Sequence, residues 1–189
     1  GAALFCASIG VLAALRPTSR AAAKYGSGPV VRLSAFTLAL AVPFVGFLFN
    51  LPWFLFSLFI YGVLSSIHDL SINAHAAALE NRAGKRVMST FHAMWSIGGL
   101  TGGAIGGLLA SVNVSILFHA IGVGVFIVLV AFATRNWFLP AELDQHPLEG
   151  KKKIKKPRLF LIVGLLGLCA AIGEGSAGDW GAILARDTF

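Results

Sequence analysis

Long apolar runs separated by short polar connections set the pattern of this chain. The runs cover about residues 1–16, 30–49, 52–77, 89–111, 113–136 and 159–184. All but the first approach or exceed the roughly 20 residues that a helix needs to cross the hydrocarbon of a bilayer. Membrane strands would instead show polar and apolar residues alternating in segments of about ten. The pattern therefore predicts six transmembrane helices. Pro43 in the second run predicts a kink, and the many glycines of the fourth are compatible with a membrane helix, where neighbouring helices re-satisfy freed backbone groups. The first run, Gly1 to Leu15, is about five residues short of a span and reads as a helix without its first turn. No charged segment precedes it as a signal peptide would require. At the other end Arg186-Asp187-Thr188-Phe189 closes the last run with no tail. These ends lead us to expect an internal piece of a longer membrane protein.

Composition agrees. Hydrophobic residues make up 57% of the 189 positions and charged residues 12%, with a mean hydropathy of +0.80. A soluble domain carries about 25% charged residues, so there is too little charge here to cover a water-facing surface. The net charge of +7 would suggest a nucleic-acid partner if it formed a patch on a polar domain. Instead, 14 of the 15 basic residues fall in alternate connections. Arg16, Arg20, Lys24 and Arg32 follow the first run; Arg82, Lys85 and Arg86 follow the third; Arg135, Lys151, Lys152, Lys153, Lys155, Lys156 and Arg158 follow the fifth. Only Arg186 lies opposite. The positive-inside bias makes the basic connections cytoplasmic, so the piece starts and ends outside. The longest of them, about 137–158, mixes Glu142, Asp144 and Glu149 with the lysines. It reads as a solvated linker that touches anionic headgroups and joins two helical bundles. Cys6 and Cys169 sit within apolar runs and indicate neither a disulfide framework nor a metal pair.

One cytoplasmic stretch, Ala22-Ala23-Lys24-Tyr25-Gly26-Ser27-Gly28-Pro29, resembles the loop between helices two and three of the major facilitator superfamily, usually Gly-x-Leu-Ala-Asp-Arg-x-Gly-x-Arg. Ala22, Lys24 and Gly26 match; Ser19, Ala23 and Gly28 stand where the family has glycine, aspartate and arginine. The resemblance implies a cytoplasmic gating loop at Lys24, Tyr25 and Gly26. A second stretch, His68-Asp69-Leu70-Ser71-Ile72-Asn73 followed by Glu80, Gly84 and Met88 to Gly99, resembles helices four and five of the fucose-permease-like branch. Gly173-Glu174-Gly175 to Gly178-Asp179-Trp180 resembles its helix seven. The implied fold is an all-α, polytopic helical bundle covering helices two to seven. Residues 1–137 would be five helices of the N-terminal bundle, 138–158 the cytoplasmic central loop, and 159–189 the first helix of the C-terminal bundle.

Residue chemistry points the same way. Of the eight acids only Asp69, Glu174 and Asp179 lie within apolar runs. A carboxylate in a bilayer is costly, so by default it faces a bundle interior or a polar path and is a functional candidate. Gly62, Ser65, Ser66, Asp69, Asn73, Ala76 and Glu80 share one helical stripe, with Asp69 and Asn73 neighbours at four apart. Glu174 stands among glycines that would let the backbone loosen, as in the broken helices of transporters, and is the best single candidate for proton coupling. Asp179 lies five residues on, about 140° round an ideal helix. His92 and Ser96, with Trp95 beside them, are further pathway candidates. Gly98, Gly102 and Gly106 interleave with Gly99, Gly103 and Gly107 as two small-residue ridges, the expected sites of close helix packing.

These residues lead us to expect a secondary active transporter, coupled to protons, that moves a small polar solute (sugar-like or drug-like) by alternating access. It would be a multi-pass protein of a bacterial inner membrane whose partners are solute, protons and lipid. No Walker pattern or phosphate-cradling loop appears, so neither ATP nor another cofactor is expected. The histidines lack i, i+4 spacing and a Cys partner, so no metal is expected either. Two alternatives are a passive channel or scaffold and an intramembrane aspartyl protease built on Asp69 and Asp179. Against the protease, Ser176-Ala177-Gly178 precedes Asp179 where that family has a Gly-x-Gly run, and His68 rather than Tyr precedes Asp69.

Overall fold

A computed structural model describes residues 2–47, 49–144 and 157–188. Among them there are six α-helices and one short 3-10 turn, with no strand: α1 (Ala2–Tyr25), α2 (Ser27–Gly46), α3 (Leu51–Ala83), α4 (Met88–Ser111), α5 (Ile116–Thr134), the turn Ala141–Leu143, and α6 (Pro157–Thr188). All six helices are long and apolar enough to cross a membrane, which is the polytopic all-α architecture expected. Residues 1–148 and 149–189 form two compact units.

In the first unit α1 packs on α3, while α2 packs on both α3 and α5. Most of the buried residues are small: Ala14, Ala35, Ala39, Ala76 and Ala131 with Ser27, Ser34, Ser57, Ser66 and Ser71. Large side chains such as Leu33, Leu40 and Leu129 point outward and are more than 60% exposed. That inversion suits a lipid solvent, in which helix association rests on close packing of small residues. The α1–α3 contact is closest at two glycines. A Cβ on Gly10 would collide with the Phe59 carbonyl oxygen, and one on Gly62 with that of Ala7. Ser66 Oγ adds a hydrogen bond to the Val11 carbonyl at 3.2 Å.

α2 runs on through Pro43 to Gly46. Proline has no N–H for the carbonyl four residues back, here that of Ala39, and α5 crosses at Gly124, where a Cβ would lie 2.7 Å from that oxygen. α3 starts on Asn50, whose side chain accepts from the Trp53 N–H at 2.8 Å, and ends on Gly84 at φ 63, the left-handed conformation that stops helices. Glu80 then accepts from the N–H groups of Val87 (2.8 Å) and Met88 (3.0 Å) and so caps the start of α4.

In the first unit three expectations change. α1 does not stop near residue 16 but continues through Pro17 to Tyr25, helped by Thr18 and Ser19 hydroxyls that donate to the Ala14 and Leu15 carbonyls. Arg16, Arg20 and Lys24 are therefore on a helix, and no loop joins α1 to α2: Gly26 alone makes the turn, with φ 81 and ψ 152. α3 has 33 residues, about 50 Å of helix, so its last turns rise beyond a hydrocarbon layer about 30 Å thick. Finally, the segment after α5 is not wholly solvated, since Asp144 is 6% exposed.

The second unit is described by itself. α6 is a regular helix without a break at Gly173, Gly175 or Gly178, so the loosening expected around Glu174 is not there. Ideal geometry then sets Glu174 and Asp179 about 140° apart. Their side chains lie outside the described part of the structure.

Candidate functional site

The seven-residue stripe on α3 divides according to what each residue faces. Gly62, Ser66 and Ala76 are buried, the first two against α1, the Ser65 hydroxyl donates back to the Gly62 carbonyl at 3.1 Å, and Glu80 caps α4. Asp69 and Asn73 remain together. Asn73 Nδ2 donates to Asp69 Oδ1 at 3.1 Å and to the Asp69 backbone oxygen at 2.9 Å, so one carboxylate oxygen is held while Asp69 stays exposed among the described residues. Next to it His68 turns inward, its Nδ1 3.0 Å from Ser34 Oγ on α2. The Ser34 hydroxyl proton goes to the Val31 carbonyl at 2.9 Å. A hydroxyl has one proton, which assigns the imidazole hydrogen to Nδ1 and leaves Nε2 as an acceptor. His68 borders a mostly apolar cavity of about 210 Å³ between α2, α3 and α5, whose wall includes Arg32, Ile72, Phe126 and Val130.

On α4, His92, Trp95 and Ser96 are exposed. Ser96 Oγ donates back to the His92 carbonyl at 3.1 Å, and no hydrogen bond joins these residues to Asp69 or Asn73. α4 buries none of its residues. A Cβ on Gly98, Gly99, Gly102, Gly103 or Gly107 would meet nothing within 4 Å, and one on Gly106 only His119 Cε1 at 3.3 Å. Lys24 and Tyr25 end α1 with the Lys24 Nζ 4.9 Å from the Tyr25 ring centroid. No group of three His, Cys, Asp or Glu side chains among the described residues could hold a metal.

Sequence reasoning missed a buried polar cluster at the basic end of the first unit. Ser27 opens α2, His75 lies on α3 and Asp144 follows the 3-10 turn; their exposures are 2%, 4% and 6%. The Ser27 N–H donates to Asp144 Oδ1 at 2.8 Å, and the Ser27 hydroxyl to Asp144 Oδ2. His75 Nδ1 is 2.8 Å from Ser27 Oγ, and the Leu139 N–H reaches His75 Nε2 at 3.4 Å. With Nε2 accepting, the ring hydrogen sits on Nδ1 and donates to Ser27. This is not a nucleophile relay, in which the imidazole stands between carboxylate and hydroxyl; here the hydroxyl stands between the other two. The only signal in the sequence was a histidine on an apolar helix face.

Six membrane-length helices, a core of mostly small residues, basic alternate connections that share one side and a carboxylate within a helix define a polytopic membrane protein of transporter type. The family model of the Major Facilitator Superfamily matches residues 1–185, and the chain belongs to that superfamily. It is 30% identical over 190 residues to an uncharacterized transporter, y4wD, of Sinorhizobium fredii, covering 99% of this chain and 50% of that protein. It is 25% identical over 183 residues to an uncharacterized MFS-type transporter of Yersinia pestis, covering 97% of this chain and 47% of that protein. The chain thus spans about half the length of the curated relatives it matches. No solved structure matches it significantly.

Proposed function

We propose that the complete protein is a proton-coupled secondary active transporter of a bacterial inner membrane, moving a small polar solute, sugar-like or drug-like, by alternating access. The observation that carries the coupling is Asp69, a carboxylate on a membrane helix whose recorded hydrogen bond comes from Asn73 of the same helix. It lies about 27 Å along α3 from Leu51, near the basic side of a hydrocarbon layer about 30 Å thick. A proton can reach it from water there, and its charge is costly once lipid or protein closes over it. Glu174, the acid among the α6 glycines, is the second coupling candidate, and Asp179 lies nearer the outer end. His92, Ser96 and Trp95 are assigned to the solute path. Bacterial relatives support the membrane, and the stretches around Asp69 and Glu174 support a place in the fucose-permease-like branch.

The test uses the complete protein in proteoliposomes, screened with sugars and amphiphilic drugs for solute-driven pH change. Wild type should move protons with one of these solutes, and Asp69→Asn and Glu174→Gln should each lower that movement at least tenfold. Undiminished proton movement in both variants would remove the coupling assignment. Solute uptake that only equilibrates, even with a proton gradient imposed, would favour a passive channel.

A further inference from the structure

The Ser27–His75–Asp144 cluster places three polar side chains where unpaired groups would be expensive. Each is less than a tenth exposed, and each buried polar atom left without a partner costs about 1–3 kcal/mol. The cluster avoids that cost by being complete. The hydrogen bonds run in one direction, from the Leu139 N–H to His75 Nε2, from His75 Nδ1 to Ser27 Oγ, and from Ser27 Oγ to Asp144. The Ser27 N–H fills the second carboxylate oxygen. This N–H is one of the first-turn donors of α2, which have no partner within the helix, so Asp144 also places negative charge at a helix N-terminus where it is favoured.

Backbone shape at the start of α2 fits the same segment. A Cβ on Gly26 would lie 2.9 Å from the Ala141 Cα, and one on Gly28 would run into the Leu139 carbonyl oxygen at 2.5 Å. The two glycines make a seat for the chain between Leu139 and Ala141. Phe138 lays its ring edge-on against His75, with centroids 5.3 Å apart, and Arg32 Nη1 reaches the Arg135 carbonyl at 3.4 Å. Hydrogen bonds, ring packing and absent side chains all hold residues 135–144 to the ends of α2 and α3.

We propose that Ser27, His75 and Asp144 form a clasp that fastens the first part of the α5–α6 connection to the ends of α2 and α3 and thereby shortens the tether between the two helical units. Fully extended, positions 135–156 could span up to about 75 Å, whereas positions 145–156 alone reach about 40 Å. Closing the clasp roughly halves the travel that the connection permits. The clasp stands on its own geometry, while its effect on transport rests on the reading above.

Asp144→Asn is the informative variant because it keeps the shape and leaves one hydrogen bond of the clasp unmade. With its oxygen toward the Ser27 hydroxyl, the amide sets its NH2 against the Ser27 N–H; with its nitrogen there, it cannot accept the hydroxyl proton, and a reversed chain would set a His75 Nε2 hydrogen against the Leu139 N–H. In the complete protein in nanodiscs, hydrogen exchange of peptides over 138–144 should be slow in wild type and at least tenfold faster in Asp144→Asn, with α1 unchanged. Spin labels at Arg82→Cys and Arg158→Cys should give a broader distance distribution in the same variant. Wild-type exchange at the rate of free peptide would overturn the clasp and needs no variant to fold. An unchanged distance distribution in a variant whose exchange has risen would overturn the shortened tether. Neither readout depends on which solute or ion is carried.

Discussion

At Gly62 the identity of one residue decides how close two helices can come, because the Ala7 carbonyl occupies the place a methyl group would need. Gly62→Val would force α1 off α3. Overpacking of this kind costs about 1–3 kcal/mol, and the expected result is a lower midpoint in thermal unfolding of the detergent-solubilised complete protein; an unchanged midpoint would show that the contact is not formed. The small-residue stripe around Gly62 was legible in the sequence, but not which members pack and which stay open. Asp69 and Asn73 fall at four-residue spacing, so their hydrogen bond follows from helix geometry alone. The clasp could not be read in this way. Ser27 is 48 positions from His75 and 117 from Asp144, and nothing local announces such a meeting.

At the scale of elements, the apolar runs located every helix, and the departures have local causes. α1 outlasted its apolar run because a proline inside a helix removes one hydrogen bond without forbidding the next turn, and the hydroxyls of Thr18 and Ser19 bond carbonyls beside the gap. α3 outlasted its run because the residues from Ala76 to Ala83 are mostly good helix formers and stop only at Gly84. The start of α4 depends on Glu80, whose carboxylate accepts two backbone N–H groups. Glu80→Ala removes both acceptors, so hydrogen exchange over residues 84–91 should quicken while the middle of α3 stays protected. Equal exchange in variant and wild type would mean that water caps α4 as well as the carboxylate does.

For the molecule as a whole, the distribution of basic residues makes a topological statement that can be checked without knowing the solute. Lys85, in the α3–α4 turn, belongs to the basic side, and Asn113, which turns the chain between α4 and α5 at φ 59, belongs to the other. Single cysteines at these two positions in the complete protein, with Cys6 and Cys169 replaced, should react with a membrane-impermeant maleimide from opposite faces. Lys85→Cys should label only in inside-out vesicles and Asn113→Cys only in right-side-out ones. The exchanged pattern would invert the assignment, and labelling of both from one face would overturn it. The reciprocal seating of α1 and α3, each carbonyl against the other's glycine, bears on how motion in this family member is measured. Two rods notched into each other at the same depth cannot slide or roll independently, so a reporter attached to either one tracks the pair, and a single label there describes the displacement of both helices.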